Sequence, residues 1–237
     1  MARQQSRGVC QLCGETFTKG GMSNHLRACL ARSADDADNG SRATARLLHL
    51  AIQDRYGAGY FLHLEMPDFA TLGMLDRYLR DIWLECCGHL SEFTIDDMSY
   101  SSMEDDGLGF GFAPPGEAMS ETPLTSVLQV GTTFLHEYDF GSTTELEGRV
   151  VSERESKLTA DSPVRLLARN LPPQHECSEC GEPAAWICPF CMWEGRGLYC
   201  HECGQNHDCE DGGWDMLLPM VNSPRTGVCG YTGGPLT

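Results

Sequence analysis

The spacing of cysteine constrains this chain more than any other feature. Thirteen cysteines stand in 237 residues, and most fall in Cys-x-x-Cys pairs: Cys10 and Cys13, Cys177 and Cys180, Cys188 and Cys191, Cys200 and Cys203. The number is odd, and such pairs in a reducing compartment point to metal binding and not to a disulfide framework. Met1 to Arg7 has no apolar stretch behind it, so no secretory signal is read there. No apolar run approaches the roughly 18–20 residues of a membrane span. The expectation is a cytoplasmic protein with reduced thiols and no membrane partner.

Two segments carry the candidate ligands. In the first, Cys10 and Cys13 are followed after eleven residues by His25 and Cys29. Four such ligands complete a tetrahedral structural zinc site. Phe17 and Met22 stand where a two-Cys-two-His finger keeps its aromatic and its leucine, and residues 10–29 resemble that finger. Two departures are a spacer one residue shorter and a final Cys. The finger helix is expected from about Gly21 to Arg32. Its outward face would carry Ser23, Asn24 and Arg27. Residues 1–34 hold five basic side chains against Glu15 alone, a balance of +4, whereas the other 203 residues balance at −21. A phosphate backbone would be repelled by the body and tolerated by the finger. Lys19, Asn24 and Arg27 are therefore the candidate nucleic-acid contacts, although one finger reads only about three base pairs.

The second segment runs Cys177, Cys180, Cys188, Cys191, Cys200, Cys203, His207 and Cys209. Eight ligands suffice for two zinc ions. Gly181 and Gly204 follow cysteines directly and suit the tight turns of zinc knuckles. Two pairings are open. A sequential one joins neighbouring pairs. An interleaved one joins Cys177 and Cys180 with Cys200 and Cys203, and Cys188 and Cys191 with His207 and Cys209. The interleaved arrangement is preferred because it resembles the cross-braced RING, MYND and B-box modules. His175 and His201 read as solvated side chains. The segment has too few aliphatic residues to fold alone, so metal must supply its folding energy. Three zinc ions per chain are expected. Cys86, Cys87 and Cys229 are left over, Cys86 as a core residue on a helix stripe and the others as packing. Sites closed by four protein ligands leave no position for water and read as structural.

The remaining pattern predicts an α+β fold. Expected parts are a finger at 1–34, a linker at 35–45, a central domain at 46–172, the two-zinc module at 173–211 and a tail at 212–237. Leu48, Leu50 and Ile52, then Tyr60, Leu62, Leu64 and Met66, alternate at period two around Gly57 and Gly59, which signals a hairpin. Leu72, Leu75, Leu79, Ile82 and Cys86 are spaced as one helix stripe, with Asp68 or Thr71 as its cap. Strands are expected at Thr133–Tyr138, Glu145–Val151 and Val164–Ala168, and an exposed loop at 101–123. Phosphate-loop, nucleophile-elbow and His-Glu-x-x-His motifs are absent. An enzymatic alternative would place His89, His136 and Asp139 in a central cleft. Asp139 reads more simply as an acceptor for backbone N–H groups at a turn.

Three stretches carry a family resemblance: Leu72 through Leu90 leading into Ser91-Glu92-Phe93, then Gly131 through Thr143 with Tyr138-Asp139-Phe140-Gly141, then Leu166 through Asn170 leading to Cys177. Residues 45–170 resemble the plasmid Ri open-reading-frame-three-like family, also labelled a transposon-resolvase-like passenger. Ser142 and Thr143 stand where that family often has Asp and Trp. The resemblance implies a mobile-element origin and an α+β fold with a hairpin, a helix and a sheet. It implies no established activity. The function expected from the whole sequence is that of a zinc-binding adaptor contacting protein or nucleic acid, with no small-molecule cofactor and with catalysis not expected.

Overall fold

The computed structural model describes residues 5–35, 44–57, 59–102, 117–158 and 163–236. Most of the expected 35–45 linker and of the 101–123 loop lies outside these residues. The chain divides into two units. One comprises Met1–Tyr78 and Leu90–Leu171, the other Leu79–His89 and Pro172–Thr237.

The first unit is built on strands β1 (Arg7–Cys10), β2 (Thr16–Thr18), β3 (Thr44–Asp54), β4 (Phe61–Pro67), β5 (Ser91–Ile95), β6 (Met98–Ser101), β7 (Glu117–Ala118), β8 (Thr133–Tyr138), β9 (Thr144–Lys157) and β10 (Arg165–Asn170). Helices α1 (Lys19–Asp35), α2 (Leu72–Leu79) and α3 (Leu124–Val127) accompany them. The ten strands form one sheet in the order β2-β1-β10-β4-β3-β9-β8-β5-β6-β7. Every pairing is antiparallel except the short β6–β7 pair. The fold is thus mixed, and richer in sheet than a plain α+β description implies.

The finger is not a separate bead on this sheet. Its strand β1 pairs with β10, matching Gly8 to Asn170, Val9 to Arg169 and Cys10 to Ala168. The three-part layout expected from the sequence becomes two units for this reason: backbone hydrogen bonds continue one ladder from the finger into the central strands.

Period two explains one face of the sheet. Leu48, Leu50, Ile52, Leu62, Leu64, Met66, Phe93, Phe134, Tyr138, Leu146 and Val150 are all buried. On β9, Gly148 sits under the Phe134 ring, where a Cβ would come within 2.0 Å of the ring carbons. A side chain at 148 would displace the ring. The helix stripe is also present, with Leu72, Leu75, Leu79 and Ile82 buried. Thr71 Oγ1 accepts from the Met74 N–H at 3.3 Å and is the cap, while Asp68 pairs with Arg46. The helix is shorter than expected because its last turn, Arg80–Leu84, is a π-helix that ends at an extended Glu85.

The second face of the sheet is not simply solvated. All seven residues of β4 are buried. Phe61 joins Cys10, Met22, Leu26, Cys29, Leu30, Leu167 and Ala168 in a cluster under α1. Beside it lies a buried polar patch. Glu65 is clamped by Arg154 through two bonds of 2.7 and 2.9 Å. His49 Nε2 lies 2.9 Å from His63 Nδ1. Burial pushes His49 down to about 4 and His63 to about 3, with the Arg27 charge adding to the first and His49 to the second.

The second unit has less regular structure. Trp186–Ile187 pairs with Leu198–Tyr199 and with Leu218–Pro219, and Asp208–Cys209 pairs with Gly212–Gly213. A short helix covers His201–Gln205. Segment 79–89 packs with the tail of the chain: Ser223 Oγ donates to the Trp83 carbonyl at 2.6 Å, and Leu236 N–H to the Asp81 carbonyl at 3.2 Å. Among the described residues no helix is long and apolar enough to cross a membrane.

Candidate metal centres

The thirteen thiols collect into four groups, each with its ligand atoms within 4.8 Å of one another. They are Cys10, Cys13, His25 and Cys29; Cys177, Cys180, Cys200 and Cys203; Cys188, Cys191, His207 and Cys209; and Cys86, Cys87, His89 and Cys229. All thirteen cysteines are used. Each group could hold a metal ion.

In the first, the turn between β1 and β2 aims the ligands. Gly14 N–H donates to the Cys10 carbonyl at 2.8 Å, and Gly14 takes φ +76°. Helix α1 brings His25 and Cys29 up from below, and Thr18 Oγ1 caps it by accepting from Gly21 N–H at 3.2 Å. Cys13 Sγ lies 3.4 Å from His25 Nε2, and the Phe17 ring stacks on the imidazole at 3.8 Å.

The eight C-terminal ligands group in the interleaved manner. Cys180 Sγ and Cys200 Sγ are 3.7 Å apart, and Cys191 Sγ and His207 Nε2 are 3.8 Å apart. Knuckle turns recur here. Gly181 N–H donates to the Cys177 carbonyl at 3.0 Å with Gly181 at φ +78°. Backbone N–H groups of Cys191 and Cys203 point at Cys188 Sγ and Cys200 Sγ. Gly204 serves differently from expectation: a Cβ there would press on Trp214 at 3.1 Å and Leu217 at 3.2 Å, so packing and not a left-handed turn calls for glycine. His201 stays outside the groups and accepts from the Trp186 indole N–H at 3.0 Å.

The fourth group is a departure from the sequence reading. Cys86 was expected in the core, and Cys87 and Cys229 as packing residues. Instead Cys87 Sγ lies 3.5 Å from both Cys86 Sγ and Cys229 Sγ, and 3.0 Å from His89 Nε2. The signal was a ligand-dense tetrapeptide, Cys86-Cys87-Gly88-His89, with a distant Cys229 to complete it.

Bond lengths of about 2.3 Å to sulfur and 2.0–2.1 Å to nitrogen put tetrahedral edges near 3.8 Å for S···S and 3.6 Å for S···N. Separations of 3.4 to 3.8 Å lie near these edges, and the 3.0 Å between Cys87 Sγ and His89 Nε2 is tighter. Charge gives a second test. Burial raises the Cys29 thiol to about 11 and the Cys191 thiol to about 12. Hydrogen bonding with Cys229 and Cys86 raises Cys87 to about 12. Burial opposes ionisation of Cys177 too, but backbone N–H groups outweigh it and hold that thiol at about 6. Crowded thiols thus resist ionising together, and a divalent cation among them removes that resistance.

The other candidate residues fall in separate settings. Lys19, Asn24 and Arg27 line a cleft of about 1200 Å³ between α1 and the sheet, with Gln53, His63 and Arg149 on the sheet side. His136 Nε2 bonds Asp76 Oδ1 at 2.8 Å inside the core. Asp139 Oδ1 accepts from Gly141 N–H at 3.1 Å and Ser142 N–H at 3.3 Å, closing the β8–β9 turn. The left-handed residue of that turn is Asp139 itself, at φ +66°, and not Gly141. His89 belongs to the fourth thiol group. The three residues of the enzymatic alternative therefore serve three different local structures.

No family model matches the chain, and no curated protein matches it. Among solved structures it is similar to a protein of unknown function from Methanosarcina mazei Go1, at 17% identity and a TM-score of 0.41. That match covers 50% of this chain and 66% of the other.

Proposed function

We propose that this is a zinc-stabilised binding protein. The observation that carries the reading is the sorting of every cysteine into four-ligand Cys/His groups of tetrahedral size. Soft thiolates with imidazole favour zinc over hard cations such as magnesium or calcium. Four protein ligands close the coordination shell, so the ions act on folding and not on substrate. The finger group and the two C-terminal groups would hold Cys10, Cys13, His25 and Cys29, then Cys177, Cys180, Cys200 and Cys203, then Cys188, Cys191, His207 and Cys209. Elemental analysis of the purified chain, paired with native mass spectrometry, tests this. At least three zinc ions per chain are expected; one or none overturns the reading.

The partner would enter the cleft beside α1. Arg27 and Arg149 both line it, and both are exposed cations in a chain of net charge −17. A phosphate-bearing strand would meet these cations, with Lys19 and Asn24 as further contacts, and would have to pass Asp96, Asp97 and Glu147, which line the same cleft. Titration of single-stranded DNA or RNA against salt tests it. Affinity should fall as salt rises and fall again in Arg27→Ala. Binding that ignores both removes nucleic acid as the partner.

A further inference from the structure

We propose that Cys86, Cys87, His89 and Cys229 form a fourth zinc site, balanced by Arg225, that fastens the tail of the chain and is the first to be lost to thiol oxidants. The inference extends the zinc reading of the other three groups. Its ligand atoms lie within the same 4.8 Å of one another, with His89 Nε2 3.0 Å from Cys87 Sγ and 3.4 Å from Cys229 Sγ.

Two independent observations point to an ion here. The first is charge. Arg225 is fully buried, and its Nη2 reaches Cys86 Sγ at 3.4 Å. A guanidinium keeps its proton at any working pH, and an anion beside it offsets part of the cost of burying it, alongside the other partners of Arg225. Three thiolates, a neutral imidazole and Zn²⁺ net −1, which Arg225 cancels. Second, backbone strain is spent on aiming one ligand. Cys229 takes φ +52°, a left-handed conformation that a residue with a Cβ adopts at a cost. It turns between Gly227 and Gly230, both also left-handed. Such strain persists where the surroundings require it.

The site differs from the others in its span and its exposure. Cys87 and Cys229 are 142 residues apart, so the ion would fasten the tail to segment 86–89. Cys87 and Cys229 are exposed, Cys86 and His89 are half-buried and no ligand is buried, whereas each of the other groups has at least one buried cysteine and at most one exposed, Cys13 or Cys180. Exposed thiolates meet oxidants first. A peroxide would take two electrons from the Cys87 and Cys229 thiolates. Their sulfurs, 3.5 Å apart, close to a bond of about 2.05 Å. The peroxide O–O bond breaks and, with two protons, leaves as two waters. Zinc departs as Zn²⁺, since Cys86 and His89 alone hold it weakly.

Native mass spectrometry of the full chain should find four zinc ions, and three in Cys229→Ser and in Cys87→Ser. Hydrogen peroxide, with a chromogenic chelator as readout, should release one equivalent in a fast phase that both variants lack. Arg225→Gln should retain that equivalent roughly 10–100-fold less tightly. Three ions in wild type with no loss in either variant, or release in a single phase, overturns the proposal and leaves the other three sites standing. One ion or none in wild type fells both readings at once.

Discussion

The two units solve the problem of a core in opposite ways. The sheet unit buries aliphatic and aromatic side chains along period-two strands, from Leu48 to Val150. The second unit has a cluster of Cys177, Cys188, Cys191, Tyr199 and Leu217, flanked by Trp186, Cys200, Cys203 and Cys209. Six of those nine are thiol ligands. Burying apolar surface yields roughly 25 cal/mol per Å² and needs area that so small a segment lacks. Metal ligation supplies on the order of 10–16 kcal/mol per structural site and needs only four ligands. A chain can therefore keep a short module folded beside a large sheet, but the module's stability is then conditional on the metal.

Chelation is the strongest test of that contrast. Excess chelator should strip amide protection from residues 177–209 while β3, β4, β8 and β9 stay protected, read by hydrogen exchange. The finger should behave as an intermediate case. It depends on its ion, yet Met22, Leu26 and Leu30 pack on Phe61 and Leu167, and β1 is paired to β10. Loss of sheet protection on chelation would erase the distinction between the units.

Single ligand changes should divide in the same direction. Cys188→Ser removes a buried ligand from a core made of ligands, and the module should unfold, since one lost site, on the order of 10–16 kcal/mol, is as large as the whole stability of a typical domain, roughly 5–15 kcal/mol. Cys13→Ser removes an exposed ligand from a finger fixed to the sheet. It should cost one ion and fray the β1–β2 turn, with the central strands unmoved. Thermal melts followed by tryptophan fluorescence separate the two, because all four tryptophans, Trp83, Trp186, Trp193 and Trp214, belong to the second unit and none to the finger.

Much of this contrast was legible in the sequence, and the rest was hidden for a definable reason. Knuckle ligands are local, so twelve candidates could be named from spacing alone. The helix stripe and strand alternation were equally local. What stayed hidden depends on pairs far apart in the chain. Cys229 meets Cys87 across 142 residues. Strand β1 joins β10 across about as great a separation. Period two marks Leu62 and Leu64 as one face of β4 and carries no sign of what covers His63 and Glu65 on the other. That side of β4 is covered piece by piece, Phe61 by Met22 and Leu26 of α1, His63 by His49 and Glu65 by the Arg154 clamp.

That covered polar face gives the sheet unit a pH dependence of its own. His49 and His63 stand below the ordinary 6.5 when folded, at about 4 and about 3. As pH falls through 6.5 the unfolded chain takes up protons that the folded chain refuses. Stability is complete above 6.5 and is lost progressively down to about 3–4. The loss assignable to His49 is about 3 kcal/mol. Urea unfolding followed by hydrogen exchange on β3 and β4 reads it apart from the metal module. His63→Gln should flatten the slope; an unchanged slope would place the titrating groups elsewhere.

The smallest effect expected lies at the β8–β9 turn, and it separates a structural role for Asp139 from a chemical one. Its Oδ1 accepts two backbone N–H bonds while its own φ is +66°. Asp139→Asn keeps an acceptor and tolerates the left-handed region, so it should cost only a few tenths of a kcal/mol. Asp139→Gly loses the bonds but relieves the backbone, for about 1 kcal/mol. Asp139→Ala loses both, for about 2 kcal/mol. The order Asn, Gly, Ala is what turn geometry dictates, and urea midpoints measure it. A carboxylate that mattered for its charge would make Asn as damaging as Ala, because the amide keeps the shape and discards the ionisation.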